Sequence, residues 1–194
     1  VNDGECMVLL GPNGAGKSTI LNIIAGLAGY DGSIFFNNQK VDHMCASRRR
    51  VVYVFQEDAL FPHLTVRSNV AYGLKRQSKH NKQAISQKVE SLLSLVNISH
   101  LAGRYPRDLS GGEKQRVALA RAIAPGPAVL LMDEPFSSLD LRSAKYLRTE
   151  FRQLQRKLHT TTIFVTHNLD EAAEVADRVA FIESGQIMQI GTAD

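Results

Sequence analysis

The sequence predicts an α/β fold: a mostly parallel sheet core, an inserted α-helical subdomain and a partial antiparallel β element. Three observations predict it. Short apolar runs alternate with longer helical patterns along most of the 194 residues. One such run opens directly into a glycine-rich loop that enters a helix. Between Glu57 and Asp108 the strand signals vanish and a single amphipathic pattern stands in polar, loop-like sequence.

The elements follow in order. Cys6–Leu10, Val51–Phe55, Ala128–Met132, Thr162–Val165 and Val179–Ile182 read as strands of the core. Two weaker segments, Ser33–Phe36 and Gln186–Ile190, read as an antiparallel element, with a turn at Glu183-Ser184-Gly185 before the second. Helices are expected over Gly16–Ala28, Lys82–Val96, Gly112–Ala124, Arg142–Leu158 and Leu169–Ala176. In the second, Ile85, Val89, Leu92, Leu93 and Val96 mark one face; in the fourth, Ala144, Leu147, Phe151, Leu154 and Leu158 do the same. The length fits one domain, with a core at about 1–56 and 113–194 and a helical subdomain at about 57–112. "VNDGECMVLL" reads as a turn entering a buried strand, so the domain is expected to lack an N-terminal segment.

The bulk numbers narrow the function classes. A net charge of +4 suits a polyanionic small ligand and gives no argument for a nucleic-acid partner. Arg48–Arg50, the densest basic run, reads as a solvated strand edge. Cys6 and Cys45 lie far apart without metal-ligand spacing, as reduced thiols would. No apolar run approaches the 18 or so residues that span a bilayer, so any membrane link is expected to come through a partner.

"GPNGAGKST" carries the most chemistry: Gly11, Pro12, Asn13, Gly14, Ala15, Gly16, Lys17, Ser18 and Thr19 match G-x-x-x-x-G-K-[ST] between a strand and a helix. Glycines let backbone N–H groups curl around phosphate oxygens, and the helix N-terminus adds partial positive charge. Lys17 would reach the β- and γ-phosphates, and Ser18 would ligate Mg²⁺. "VLLMDEP" is an apolar strand ending in two carboxylates, with Asp133 placed for the metal and Glu134 for polarising a water; an acidic helix cap explains the pair equally well in isolation. Gln56 follows "VVYVF" and His167 follows "TIFVT". The P-loop, Gln56, Asp133 with Glu134, and His167 thus each follow a different strand. A parallel sheet would gather all four at its carboxyl rim, where ligands of open α/β sheets bind. His43, His63, His80, His100 and His159 lack that placement and read as surface or packing residues.

"DLSGGEKQRVALARAI" raises a separate question. Ser110 and Glu113 have the spacing of a capping box, which does not require Gly111 and Gly112. Glycine in a helix costs about 0.5–1 kcal/mol relative to alanine, so something is expected to approach this backbone closely.

In this order, "GPNGAGKST", Gln56, "LSGGEKQ", "VLLMDEP", "SSLD" and His167 resemble the ATPase domain of an ATP-binding cassette (ABC) transporter, over essentially the whole chain. The resemblance implies ATP and Mg²⁺ as ligands and hydrolysis as the reaction, with Glu134 as general base and His167 at the γ-phosphate. Ser18, Gln56 and Asp133 would serve the metal, with Gln56 also linking the site to the helical subdomain. It implies a head-to-tail dimer with a second copy, in which Ser110, Gly111, Gly112 and Glu113 contact the nucleotide held by the partner and Asp140 of "SSLD" lines the seam. Two departures stand out. The aromatic residue on which the family stacks adenine would precede this chain, and Glu113 replaces the usual glutamine after LSGG.

After Gln56, "EDALFPHLTVRSNVAYGL" resembles bacterial importers fed by a solute-binding protein, and "LSGGEKQRVALARAI" leans toward those for oxyanions such as molybdate, tungstate or sulfate. That implies membrane permease partners and a peripheral place on the cytoplasmic side of the inner membrane. Leu60, Phe61 and Leu64 are candidates for the permease contact, with burial in the helical subdomain as the competing explanation. A non-transport ABC protein, a non-hydrolysing regulatory subunit and a P-loop kinase are the alternatives.

Overall fold

The computed structural model describes residues 1–56, 60–76 and 81–193. Its main sheet runs, edge to edge, through Val51–Val54 (β4), Val129–Asp133 (β5), Thr162–Thr166 (β6), Cys6–Leu10 (β1), Arg178–Glu183 (β7) and Gln186–Thr192 (β8). Strands β1, β4, β5, β6 and β7 run parallel, and β8 returns antiparallel to β7. The two weaker segments are both antiparallel, but neither pairs with the other. β2 (Phe35–Phe36) forms a hairpin with β3 (Gln39–Lys40), the short link allowing only a local partner.

Strand alternation divides the core between the two faces of the sheet. Cys6, Val8, Leu10, Val54, Leu130, Met132 and Phe164 belong to one continuous core cluster with a set of helices. That set comprises α2 (Val66–Lys75), α3 (Lys82–Leu95), α4 (Gly111–Ile123), α5 (Leu141–Leu158) and α6 (Leu169–Val175). Met7, Leu9, Leu131, Ile163, Val165 and Ile182 face the other way, onto Leu21 and Ala25 of α1 (Lys17–Ala25). Residues of β1 point to both sides and are all buried, which is why its sequence shows no polar alternation.

Helix α2 is absent from the sequence reading. Its apolar stripe of Val66, Val70, Ala71 and Leu74 is present but interrupted by Ser68, Asn69 and Gly73. Asn69 is fully buried because it works as a local clamp, donating to the carbonyls of Phe61, Leu64 and Thr65 and accepting from the Phe61 N–H. The basic run is also corrected. Arg49 is buried and donates to the carbonyls of Ile23 and Ile24 at the end of α1, where the negative end of the helix favours a cation. Glu57, Asp58, Ala59 and His80 lie outside the described residues.

Candidate nucleotide-binding and hydrolysis site

The P-loop begins where β1 ends. Gly11 is squeezed against β7: a Cβ there would stand 2.1 Å from the Ile182 carbonyl oxygen, so no other residue fits. Gly16 has φ +95° and occupies the position before α1. That helix has neither a side-chain cap nor an acidic residue in its first turn, leaving its N–H groups for an anion. Lys17 is buried, and its Nζ donates to the carbonyls of Gly11 (2.8 Å) and Pro12 (2.9 Å), which curls the loop around the ammonium. The turn after β7 braces the loop through the Gly185 N–H and the Ala15 carbonyl, at 3.1 Å.

Register explains the next group. Val129, Leu131 and Asp133 share the sheet face that α1 covers, so Asp133 meets Ser18 on that helix. Ser18 Oγ donates to Asp133 Oδ1 at 3.1 Å, and Tyr53 Oη donates to Oδ2 at 2.9 Å. Tyr53 lies opposite Leu131 on the neighbouring strand, and its ring stacks on Phe55. Burial, and then the bond to Asp133, pushes the Tyr53 hydroxyl above its ordinary pKa, so it remains a donor. Tyr53 belongs to no motif, and its only signal in the sequence is its place near the end of β4, on the face shared with the aspartate.

Glu134 follows at φ +44°, a left-handed conformation rare for a residue with a side chain. Its N–H is held by the Val165 carbonyl at 3.0 Å, and its own carbonyl accepts from Ser137 Oγ at 2.9 Å. The twist aims the carboxylate along the rim, where Oε1 lies 3.1 Å from His167 Nδ1. Strained backbone of this kind collects at functional sites. Gln56 is exposed beyond the end of β4. β4 lies three strand spacings from β1, or about 14 Å, so Gln56 sits at the far end of the same rim.

Ser110 to Glu113 form a second centre. Among the described residues no hydrogen bond or ion pair joins them to the P-loop rim. The capping box is complete: Glu113 N–H reaches Ser110 Oγ, while Glu113 Oε2 accepts from the Ser110 N–H (2.8 Å) and Oγ (2.9 Å). The Ser110 amide, then its hydroxyl, holds the Glu113 carboxyl below its ordinary value. A Cβ on Gly111 would press on the tip of Leu139 at 3.2 Å, and one on Gly112 would meet only Leu147 at 3.8 Å. Packing within the chain therefore gives Gly111 a mild reason and Gly112 none.

Asp140 caps α5, accepting from the N–H groups of Arg142 and Ser143. Leu60 belongs to the core, as the burial explanation requires. Phe61 and Leu64 are half-buried. Phe61 packs on Tyr72 and beneath Arg121 in a cavity of about 200 Å³ between the β4 edge, α2 and α4.

Fold and rim together define a class, the α/β proteins with a phosphate-binding loop. The chain belongs to the ABC transporter family, whose profile matches residues 1–137. It is 52% identical over its whole length to a sulfate/thiosulfate import ATP-binding protein CysA from Caulobacter vibrioides, covering 58% of that protein. It is 51% identical over 98% of its length to the protein of the same name from Vibrio cholerae, covering 52% of it. The chain thus spans somewhat over half the length of these curated relatives. Among solved structures it resembles cbiO1 from Clostridium perfringens, described as part of the ABC transporter complex cbiONQ, with TM-score 0.91 and 29% identity over the whole chain and 79% of that protein.

Proposed function

We propose that the chain is the ATP-hydrolysing unit of an ABC importer whose solute is an oxyanion of the sulfate kind. The observation that carries the chemistry is the rim itself: a phosphate loop, a metal-type carboxylate and a carboxylate–imidazole pair on adjacent parallel strands. The solute class is supported by relatives near 50% identity, which are sulfate/thiosulfate import ATP-binding proteins.

The loop amides and Lys17 bind and orient the phosphates of ATP, and the N-terminus of α1 stabilises their charge. Ser18 and Asp133 offer hard oxygen donors on an exposed edge, a set that fits Mg²⁺ sharing its sphere with phosphate and water, with Gln56 as a further contact. Bound there, Mg²⁺ would neutralise charge on the β- and γ-phosphates. Glu134 takes the proton of the attacking water, and His167, within hydrogen-bond reach of the Glu134 carboxylate, holds it toward the γ-phosphate.

The glycine corner at Ser110–Gly112 completes the site of a second copy, head to tail about a two-fold axis. With Ser110 engaged by Glu113, the amides of Gly111 and Gly112 are the donors available to the partner's nucleotide. The groove beside the β4 edge and α2, near Gln56, receives a permease segment, with Phe61 and Leu64 at its margin. Among the described residues no helix is long and apolar enough to cross a membrane. As the ATP-binding unit of an importer, the chain would act at the cytoplasmic side of the membrane against the permease, with a solute-binding protein delivering the solute from the other side.

Phosphate release by wild type and Glu134→Gln tests this reading. The variant should bind MgATP, accumulate as a dimer on a sizing column, and turn over about 10²- to 10⁴-fold more slowly. Equal turnover removes the assigned role of Glu134.

A further inference from the structure

The residue before His167 is tied into a buried ionic network that the chemistry above does not use. Thr166, the last residue of β6, is 1% exposed. Its hydroxyl donates to Glu171 Oε2 at 2.7 Å and accepts from the Asn168 N–H at 3.0 Å. One hydroxyl thus brackets His167 from both sides. Asn168 in turn caps α6 through the N–H groups of Asp170 and Glu171. The other carboxylate oxygen, Glu171 Oε1, accepts from Arg148 Nη1 at 3.0 Å, and Arg148 Nε donates to Glu174 at 2.5 Å. Arg148 and Glu171 are 6% and 9% exposed.

Burying such a pair costs desolvation that an apolar pair would avoid, so adhesion between α5 and α6 is a poor account of it. What the charged pair adds is direction. Each Glu171 oxygen has a separate partner, so the Thr166 hydroxyl takes a fixed position relative to α5. That helix is capped by Asp140, in the segment read as the dimer seam. Thr166 also lies opposite Leu10, the residue that leads into the P-loop.

We propose that Thr166, Glu171 and Arg148 are positioning residues that set His167 against Glu134 and pass the placement of α5 to that contact. The proposal rests on the role given to His167 above. It is tested in the intact protein by Thr166→Val, which keeps the branched shape and removes the hydroxyl, in wild-type and His167→Ala backgrounds. Glu171→Gln is made in parallel, and Thr166→Ser serves as the rescue. In the wild-type background, kcat should fall about ten-fold for Thr166→Val and for Glu171→Gln, with nucleotide affinity held within about two-fold and recovery in Thr166→Ser. In the His167→Ala background the same substitutions should leave kcat where it was, because residues acting as a unit are not additive. Their effect on thermal stability should persist in both backgrounds.

A fall in kcat of the same factor in both backgrounds, or an unchanged kcat in Thr166→Val, overturns the network's role and leaves that of His167 standing. Unchanged turnover in His167→Ala alone overturns both.

Discussion

Gly112→Ala separates the needs of the fold from those of a partner. The added methyl would meet only Leu147, at an ordinary contact distance of 3.8 Å, and Gly112 lies in the first turn of α4. Alanine is favoured over glycine in a helix by about 0.5–1 kcal/mol. For a chain of this size that gain should raise the thermal midpoint by about 1–4 °C. The Cα–Cβ bond of a helical residue tilts toward the N-terminus, so the methyl also stands in the approach of an anion to the helix end. Loss of one hydrogen bond to a charged group costs about 1.5–3 kcal/mol, or about ten- to a hundred-fold in rate. Stability and turnover should therefore move in opposite directions. The assays are a thermal melt without nucleotide, then ATPase turnover and nucleotide-driven dimerisation. A more stable variant with full turnover and full dimerisation would refute the assignment of this corner to a partner's phosphate, and a less stable one would refute the packing argument.

Two further predictions concern side chains that hold others. Tyr53→Phe removes a donor from Asp133 while keeping the ring stack, and should raise the Mg²⁺ concentration needed for nucleotide binding by roughly ten-fold. An unchanged Mg²⁺ titration would show that Ser18 alone suffices to hold the aspartate. Asp177 accepts from Arg152 and from the Cys6 N–H, and the Arg152 bond above all holds its carboxyl below the usual aspartate range. Its folded pKa is depressed, so its stabilisation is present above the unfolded value of about 4 and is lost as pH falls through the folded value. Denaturant titrations should find Asp177→Asn less stable than wild type at pH 7, with the two converging in acid below that range. A gap that stays constant with pH would assign the effect to something other than the ionised carboxylate.

Local chemistry made much of this protein legible in advance. Gly11 to Thr19, the carboxylates after β5 and the capping box at Ser110 are contiguous, and their spacing implies their geometry. The parallel sheet was legible because strands buried on both faces cannot hide a continuous apolar run. Helix α2 was obscured because a buried amide, Asn69, breaks the stripe that periodicity reads. Arg49 was misplaced for a related reason: charge predicts solvent, unless carbonyls at a helix end, such as those of Ile23 and Ile24, offer it partners.

The strand–loop–helix glycine motif, the α/β class and the set of residues that follow strands can be read from the order of amino acids alone. Three-dimensional packing is what makes Tyr53 a second donor to Asp133, twists Glu134 to φ +44° beside His167, and lets Arg148 reach Thr166 through Glu171. The difference is one of range. Phosphate loops and caps are built from backbone groups a few residues apart, whereas register between strands and the meeting of two helices join residues that no spacing along the chain relates.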